Sequence, residues 1–359
     1  MQAIVFSPPT SQQITNSKAI AMLLVVVGHA PGLHPALMNF IYAFHMPVFF
    51  FLSGLLLSEA KLALPLGRFL KLQLHSLGIP YVFFFALSYL YWLPTHQLSS
   101  TTLKHGLSAW WEPLLGFLLG GQQAWVVNAV LWFFVCLLMT TCIYYFLKRF
   151  FSARLLAMLL GALGLMFALV YNSAWPRWPW MLDSTLIALG FYAAGHAMRQ
   201  WLAQHQPVSH ARAAILALFF SLALMLGATF NGKVDLNFLN FGENPWLYFL
   251  NAYLGIVALW FACQLLPSQR ALTWIAQHTI IIFPTHLLLF SVFTGFAVVV
   301  LGWPHHFKES SWIWTVIFPV LAVGASYPIA MILARCCPKL IGHHGLKAQE
   351  LTQGSRIHA

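Results

Sequence analysis

The sequence predicts an all-α, polytopic membrane protein with about ten transmembrane helices and both termini cytoplasmic. Three observations predict it. Of the 359 residues, 60% are hydrophobic and only 7% charged, whereas a soluble domain uses about 25% charged residues to clothe its surface. The apolar residues come in runs of about 20, the length that crosses roughly 30 Å of hydrocarbon. The 18 Lys and Arg, set against 7 Asp and Glu for a net charge of +11, fall mostly on one side of those runs. A soluble nucleic-acid-binding protein is excluded, because the excess of bases sits between apolar spans.

The spans expected are 17–31, 40–60, 77–93, 126–147, 153–171, 182–201, 212–230, 246–266, 277–300 and 311–334. The first is short, and it can cross only if the polar residues at its ends continue the helix. Turn chemistry separates the spans at Pro31-Gly32, Pro94, Asn231-Gly232, Pro267 and Gly302-Trp303-Pro304. The stretch Ser108–Gly121, with Trp110 and Trp111 beside Glu112, reads as an interfacial or re-entrant segment. Residues 1–16 read as a cytoplasmic segment, 17–334 as the membrane domain and 335–359 as a cytoplasmic basic tail.

With both ends inside, Lys18, Lys61, Arg68, Lys71, Lys148, Arg149, Arg154, Arg199, Arg212, Arg270, Arg335, Lys339, Lys347 and Arg356 lie on the cytoplasmic side. Lys104, Arg177, Lys233 and Lys308 lie opposite. That asymmetry is the positive-inside signature. No basic n-region or cleavage site marks a signal peptide. The cysteines at 136, 142, 263, 336 and 337 suggest no disulfide framework. Cys336-Cys337 with His343-His344 match no zinc spacing, and His305-His306 read as solvated loop residues.

Ionisable groups inside a membrane are costly and mark function. His29 follows Lys18 by eleven residues, about 16 Å along a helix, near mid-membrane. His45 stands in Phe44-His45-Met46-Pro47 at the start of the second span, and Ser53-Gly54 follows two turns later. An imidazole that takes and returns a proton near neutral pH suits the activation of a hydroxyl. Arg68 and Lys71 are three apart on one helical face, a spacing that can grip phosphate.

These motifs together resemble the acyltransferase 3 family. The resemblance rests on Lys18-x10-His29, on Phe44-His45-Met46-Pro47 leading to Phe51-Leu52-Ser53-Gly54, and on Arg68-x-x-Lys71 before Ile79-Pro80-Tyr81. Weaker echoes follow at Leu131-Trp132-Phe133, from Asp183 to Gly195, and at His278 and His286. The similarity is to the branch of sugar O-acetylases that includes xanthan-type exopolysaccharide acetyltransferases of the bacterial inner membrane.

The resemblance implies acetyl transfer from acetyl-CoA to a sugar hydroxyl of a lipid-linked oligosaccharide or polysaccharide. It implies catalytic roles for His29 as general base and for His45 and Ser53. Lys18, Arg68, Lys71 and Tyr81 would hold the donor, and Trp132, Asp183 and His286 the acceptor. Membrane lipids are the other expected partners, with neither a metal nor a nucleic acid. A covalent acetyl-histidine is the less favoured route. One departure stands out: Thr15-Asn16-Ser17 replaces the acidic residue common before the first-span base. The group that orients His29 is therefore open, with Asp183 a distant candidate. The alternative reading of the whole chain is a transporter or flippase for a glycan or small anion.

Overall fold

The computed structural model describes residues 6–96, 109–121, 125–304 and 306–338. Lys104, His305, Lys339, His343, His344, Lys347 and Arg356 lie outside them. Among the described residues the chain is helical throughout, and its only strand-like pairing is an isolated bridge between Asp235 and Asn240.

Helix α1 (Pro8–Gly28) begins nine residues before the expected span. The Ser7 hydroxyl accepts from the Thr10 N–H, and Pro8 and Pro9 occupy first-turn positions that need no donor. Most of the segment read as a cytoplasmic tail is thus the first two turns of the helix. The chain reverses at Gly32, whose φ of +73° favours glycine. Helices α2 (Pro35–Tyr42) and α3 (His45–Leu55) follow nearly end to end. Short α4 (Glu59–Leu62) leads to α5 (Leu66–Gln73), which joins α6 (Ile79–Thr95) through one π turn.

Helix α7 (Glu112–Leu119) is only eight residues long, in the stretch read as interfacial or re-entrant. The remainder are α8 (Trp132–Leu147), α9 (Ala153–Val170), α10 (Leu182–Gln204), α11 (His210–Asn231), α12 (Pro245–Gln264), α13 (Arg270–Gln277), α14 (Thr279–Val299) and α15 (Trp314–Cys336). Short α4, α5 and α13 were not expected as separate elements.

Eight stretches among the described residues are long and apolar enough to cross a membrane. The chain is a multi-pass membrane protein. The two remaining long helices, α1 and α10, carry too many polar residues to qualify, and both are central. Helix α1 packs against α2, α3, α12, α13, α14 and α15, and α10 against α3, α8 and α9. Several of their polar groups find partners inside the protein. The Gln13 amide donates to the Trp260 carbonyl at 2.8 Å, and the Asn16 amide to the carbonyls of Cys263 and Leu266 at 3.2 and 3.0 Å. Helices α9, α11 and α15 instead turn Met158, Met166, Ile215, Phe219 and Val320 outward, as a lipid-facing ring requires.

The tightest packing is between α3 and α10. A Cβ on Gly54 would stand 1.9 Å from the Tyr192 carbonyl oxygen, and one on Gly195 1.9 Å from that of Phe51. The backbones therefore touch directly, as small-residue crossings in membranes permit. Just beyond the crossing, His196 of α10 approaches the Glu59 carboxylate through Nε2 at 3.2 Å and the Tyr144 hydroxyl through Nδ1 at 2.8 Å. Arg199 donates to the Leu55 carbonyl at 2.7 Å.

At the opposite end of α10, Arg177 grips Asp183 through Nε and Nη2 at 2.6 and 3.1 Å. It also donates to the Asn237 carbonyl at 2.7 Å, which ties two loops together. Asn231 fixes the second of these loops by donating to Phe241 O and accepting from Asn244 N–H. Within that loop, burial pushes the Asp235 carboxyl up to about 6.

Two outcomes follow. Gly54→Ala or Gly195→Ala costs about 1–3 kcal/mol or more through overpacking against backbone. Gly324→Ala, with open space around it, is the control, and melting in detergent is the measurement. For Asp235, the folded-state pKa lies above the ordinary value of 3.8, so the burial cost is absent below that pH and in force above about 6. Asp235→Asn keeps the oxygen that accepts from the Asn237 N–H. It therefore raises the melting temperature at about pH 8 and has little effect near pH 4.

Candidate active site

Three histidines from three segments converge at the far end of α1. His29 caps that helix, and its ring Nδ1 lies 2.8 Å from the Val25 carbonyl one turn back. His45 opens α3 with Nδ1 3.0 Å from the Ile41 carbonyl. His286 lies in α14 with Nδ1 2.6 Å from Phe283 O and 3.3 Å from Ile282 O. A carbonyl can only accept, so in each neutral ring Nδ1 carries the proton and Nε2 keeps its lone pair. This answers what orients His29 without a carboxylate: its own helix does. His75 and His205, both outside the site, make the same bond to Lys71 and Trp201. The bond is thus a local habit of helical histidine, and the site is distinguished by convergence.

The His29 and His286 ring centres are 5.2 Å apart. Tyr42, on the last residue of α2, has its ring 5.8 Å from His29 and 4.8 Å from His45. His45 and His286 are buried, whereas His29 is half-buried and is the member a substrate can reach. The Nε2 of His286 is sealed in the interior with no hydrogen-bond partner. The group offers imidazole lone pairs for proton abstraction and one phenol hydroxyl able to donate. Among the described residues no set of three His, Cys, Asp or Glu could hold a metal ion.

The other expected site residues scatter. Ser53 follows His45 by eight residues, about 12 Å along α3, beside the glycine crossing and away from the three rings. Trp132 is buried among Phe50 and Phe133 as packing. Asp183 is held by Arg177 in the loop cluster rather than beside His29. Tyr81 stacks on Phe117 at 5.0 Å and points its hydroxyl at the Phe117 carbonyl, joining α6 to α7. Arg68 and Lys71 are exposed on α5, and Lys18 is half-buried.

The depth of Lys18 also changes. It stands ten residues into α1, about 15 Å from Pro8, with His29 a further 16 Å on. His29 therefore lies at the end of the helix, not midway. There the Pro31 carbonyl accepts from Thr315, and Gly32 fits against the Lys308 and Ser311 carbonyls.

Sequence reasoning missed Tyr42 and the Glu59–His196–Tyr144 chain. For Tyr42 a signal existed: it precedes His45 by three residues, a spacing that shares one helical face. For the second group no local signal exists, because its members come from three separate elements.

The family model of the acyltransferase 3 family, an acyltransferase domain, matches residues 12–331. No curated protein and no solved structure matches the chain. The match spans nearly the whole helical bundle, from the second turn of α1 into α15, and includes all three converging histidines. The chain belongs to the acyltransferase 3 family and is a membrane acyltransferase.

Proposed function

We propose that the protein moves acetyl from acetyl-CoA to a sugar hydroxyl of a lipid-linked or growing exopolysaccharide in the bacterial inner membrane. In this reading ten helices span, including α1 and α10, and both termini are cytoplasmic. The observation that carries the reading is His29: partly exposed, with Nδ1 engaged by its own helix, beside a second imidazole. Nε2 takes the proton of the acceptor hydroxyl while its oxygen attacks the thioester carbonyl. The tetrahedral intermediate collapses, the C–S bond breaks, and the imidazolium returns the proton to the thiolate.

The Tyr42 hydroxyl, on a ring 5.8 Å from that of His29, supplies a donor for the developing oxyanion. A neutral His45 protonated at Nδ1 has no hydrogen on Nε2 to offer there, so it is no oxyanion donor.

Depth constrains the donor. Pro8 and His29 are separated by about 31 Å of helix, and a pantetheine arm spans only about 20 Å. The phosphate-bearing end must therefore enter to about the level of Lys18, midway along α1. This supports Lys18 as the inner phosphate contact, with Arg68 and Lys71 engaging the outer end of the nucleotide.

Labelled acetyl-CoA and host membrane glycan provide the test with purified protein. His29→Ala lowers transfer by about 100-fold or more with the melting temperature unchanged; retained transfer overturns the assignment. Lys18→Ala raises KM for acetyl-CoA more than it lowers kcat, and so does the pair Arg68→Ala with Lys71→Ala. An unchanged KM in both sets removes the donor site from this face.

A further inference from the structure

Asn128 has no role in the reaction described so far, yet it is buried and its side chain is used in an unusual way. It stands at the N-cap of the 3-10 turn Ala129–Leu131, where an asparagine ordinarily caps its own helix, and it makes no cap bond. Both amide protons go elsewhere, to Ser88 Oγ of α6 at 2.9 Å and to the Pro284 carbonyl of α14 at 2.8 Å. The Pro284 carbonyl can only accept, which fixes the amide nitrogen on that side. The Oδ1 atom is left buried without a partner. A side chain that forgoes its local cap and leaves a lone pair unmet departs from the local rules, and such departures concentrate at functional sites.

What Asn128 holds is the proline two residues before His286. Pro284 has no N–H, so α14 lacks the bond to the Ile280 carbonyl, and the helix is free to bend there. The histidine just past this point registers the change. His29 and His45 each bond the carbonyl four residues back, whereas His286 lies closer to the carbonyl three back, Phe283, than to that of Ile282. The direction of its ring, 5.2 Å from His29, thus depends on the geometry at Pro284. We propose that Asn128 is a positioning residue of the active site, acting through Pro284 to set His286 against His29. The inference rests on the general-base reading of His29.

A double-mutant cycle in the acetyl-CoA assay tests it. Asn128→Asp keeps the shape and removes both donors. A displacement of about 1 Å at a catalytic group can cost on the order of 100-fold, so kcat falls about 10- to 100-fold while KM for acetyl-CoA holds. His286→Ala produces a fall at least as large. The double variant is then no slower than His286→Ala alone, within about twofold, because both changes remove the same effect.

Independent, multiplying losses overturn the proposal, since they mean that Asn128 supports the fold at large. A wild-type kcat for Asn128→Asp, or for His286→Ala, overturns it as well. If Asn128→Asp does not fold, Asn128→Ser, whose shorter donor cannot reach Pro284, enters the same cycle. An active His29→Ala would instead bring down the general-base reading. An inactive His29→Ala beside a fully active Asn128 variant removes only the role of Asn128.

Discussion

A bilayer core offers no water to an unpaired polar group, and this constraint arranges the rest of the molecule. The chain carries two long helices rich in polar residues, and both are drawn to the centre. Gln13 and Asn16 of α1 reach carbonyls of α12 and of the turn after it. His196 and Arg199 of α10 reach the segment that ends and follows α3. The more apolar helices then close around them. The histidine-bearing end of α1 inherits its position from this arrangement, because α1 packs against six other helices.

Within that centre, chemistry is obtained with few charges. Three imidazoles are held by carbonyls of their own helices, so no carboxylate has to be carried into the membrane to orient them. A carboxylate there would add a charge that must be paired. Two of the acids are paired elsewhere: Asp183 with Arg177 in the loops, Glu59 with His196 past the glycine crossing. The arrangement explains how the chain dispenses with an acidic residue before Lys18. The orienting bond is short, local and made by backbone.

The fold was largely legible in the sequence because hydropathy reports directly on which segments face lipid. The runs at 153–171, 212–230 and 246–266 match α9, α11 and α12 within about two residues, and these helices carry large exposed apolar surfaces. The start of α1 was not legible for the same reason: Gln13 and Asn16 look like a tail until their acceptors on α12 and in the turn after it are known. At the site, His29 and His45 were legible from motif and position. The family echo also named His286, but not its place beside His29. His286 lies 257 residues away in sequence, and nothing local in α14 reports that its ring meets the end of α1. Asp183 was named on the family echo from Asp183 to Gly195, and its pairing was not legible there. Its partner Arg177, six residues earlier, makes it ordinary.

The contact between Gly54 and Gly195 bears on traffic through the protein. With the Tyr192 and Phe51 carbonyls occupying the places where side chains would stand, α3 and α10 form a seam too tight for a thioester or a sugar. The seam acts as a back wall. The opposite flank of α3 is where α1 and α12 pack against it. The glycines thus do more than let two helices approach: they close the bundle to passage between α3 and α10.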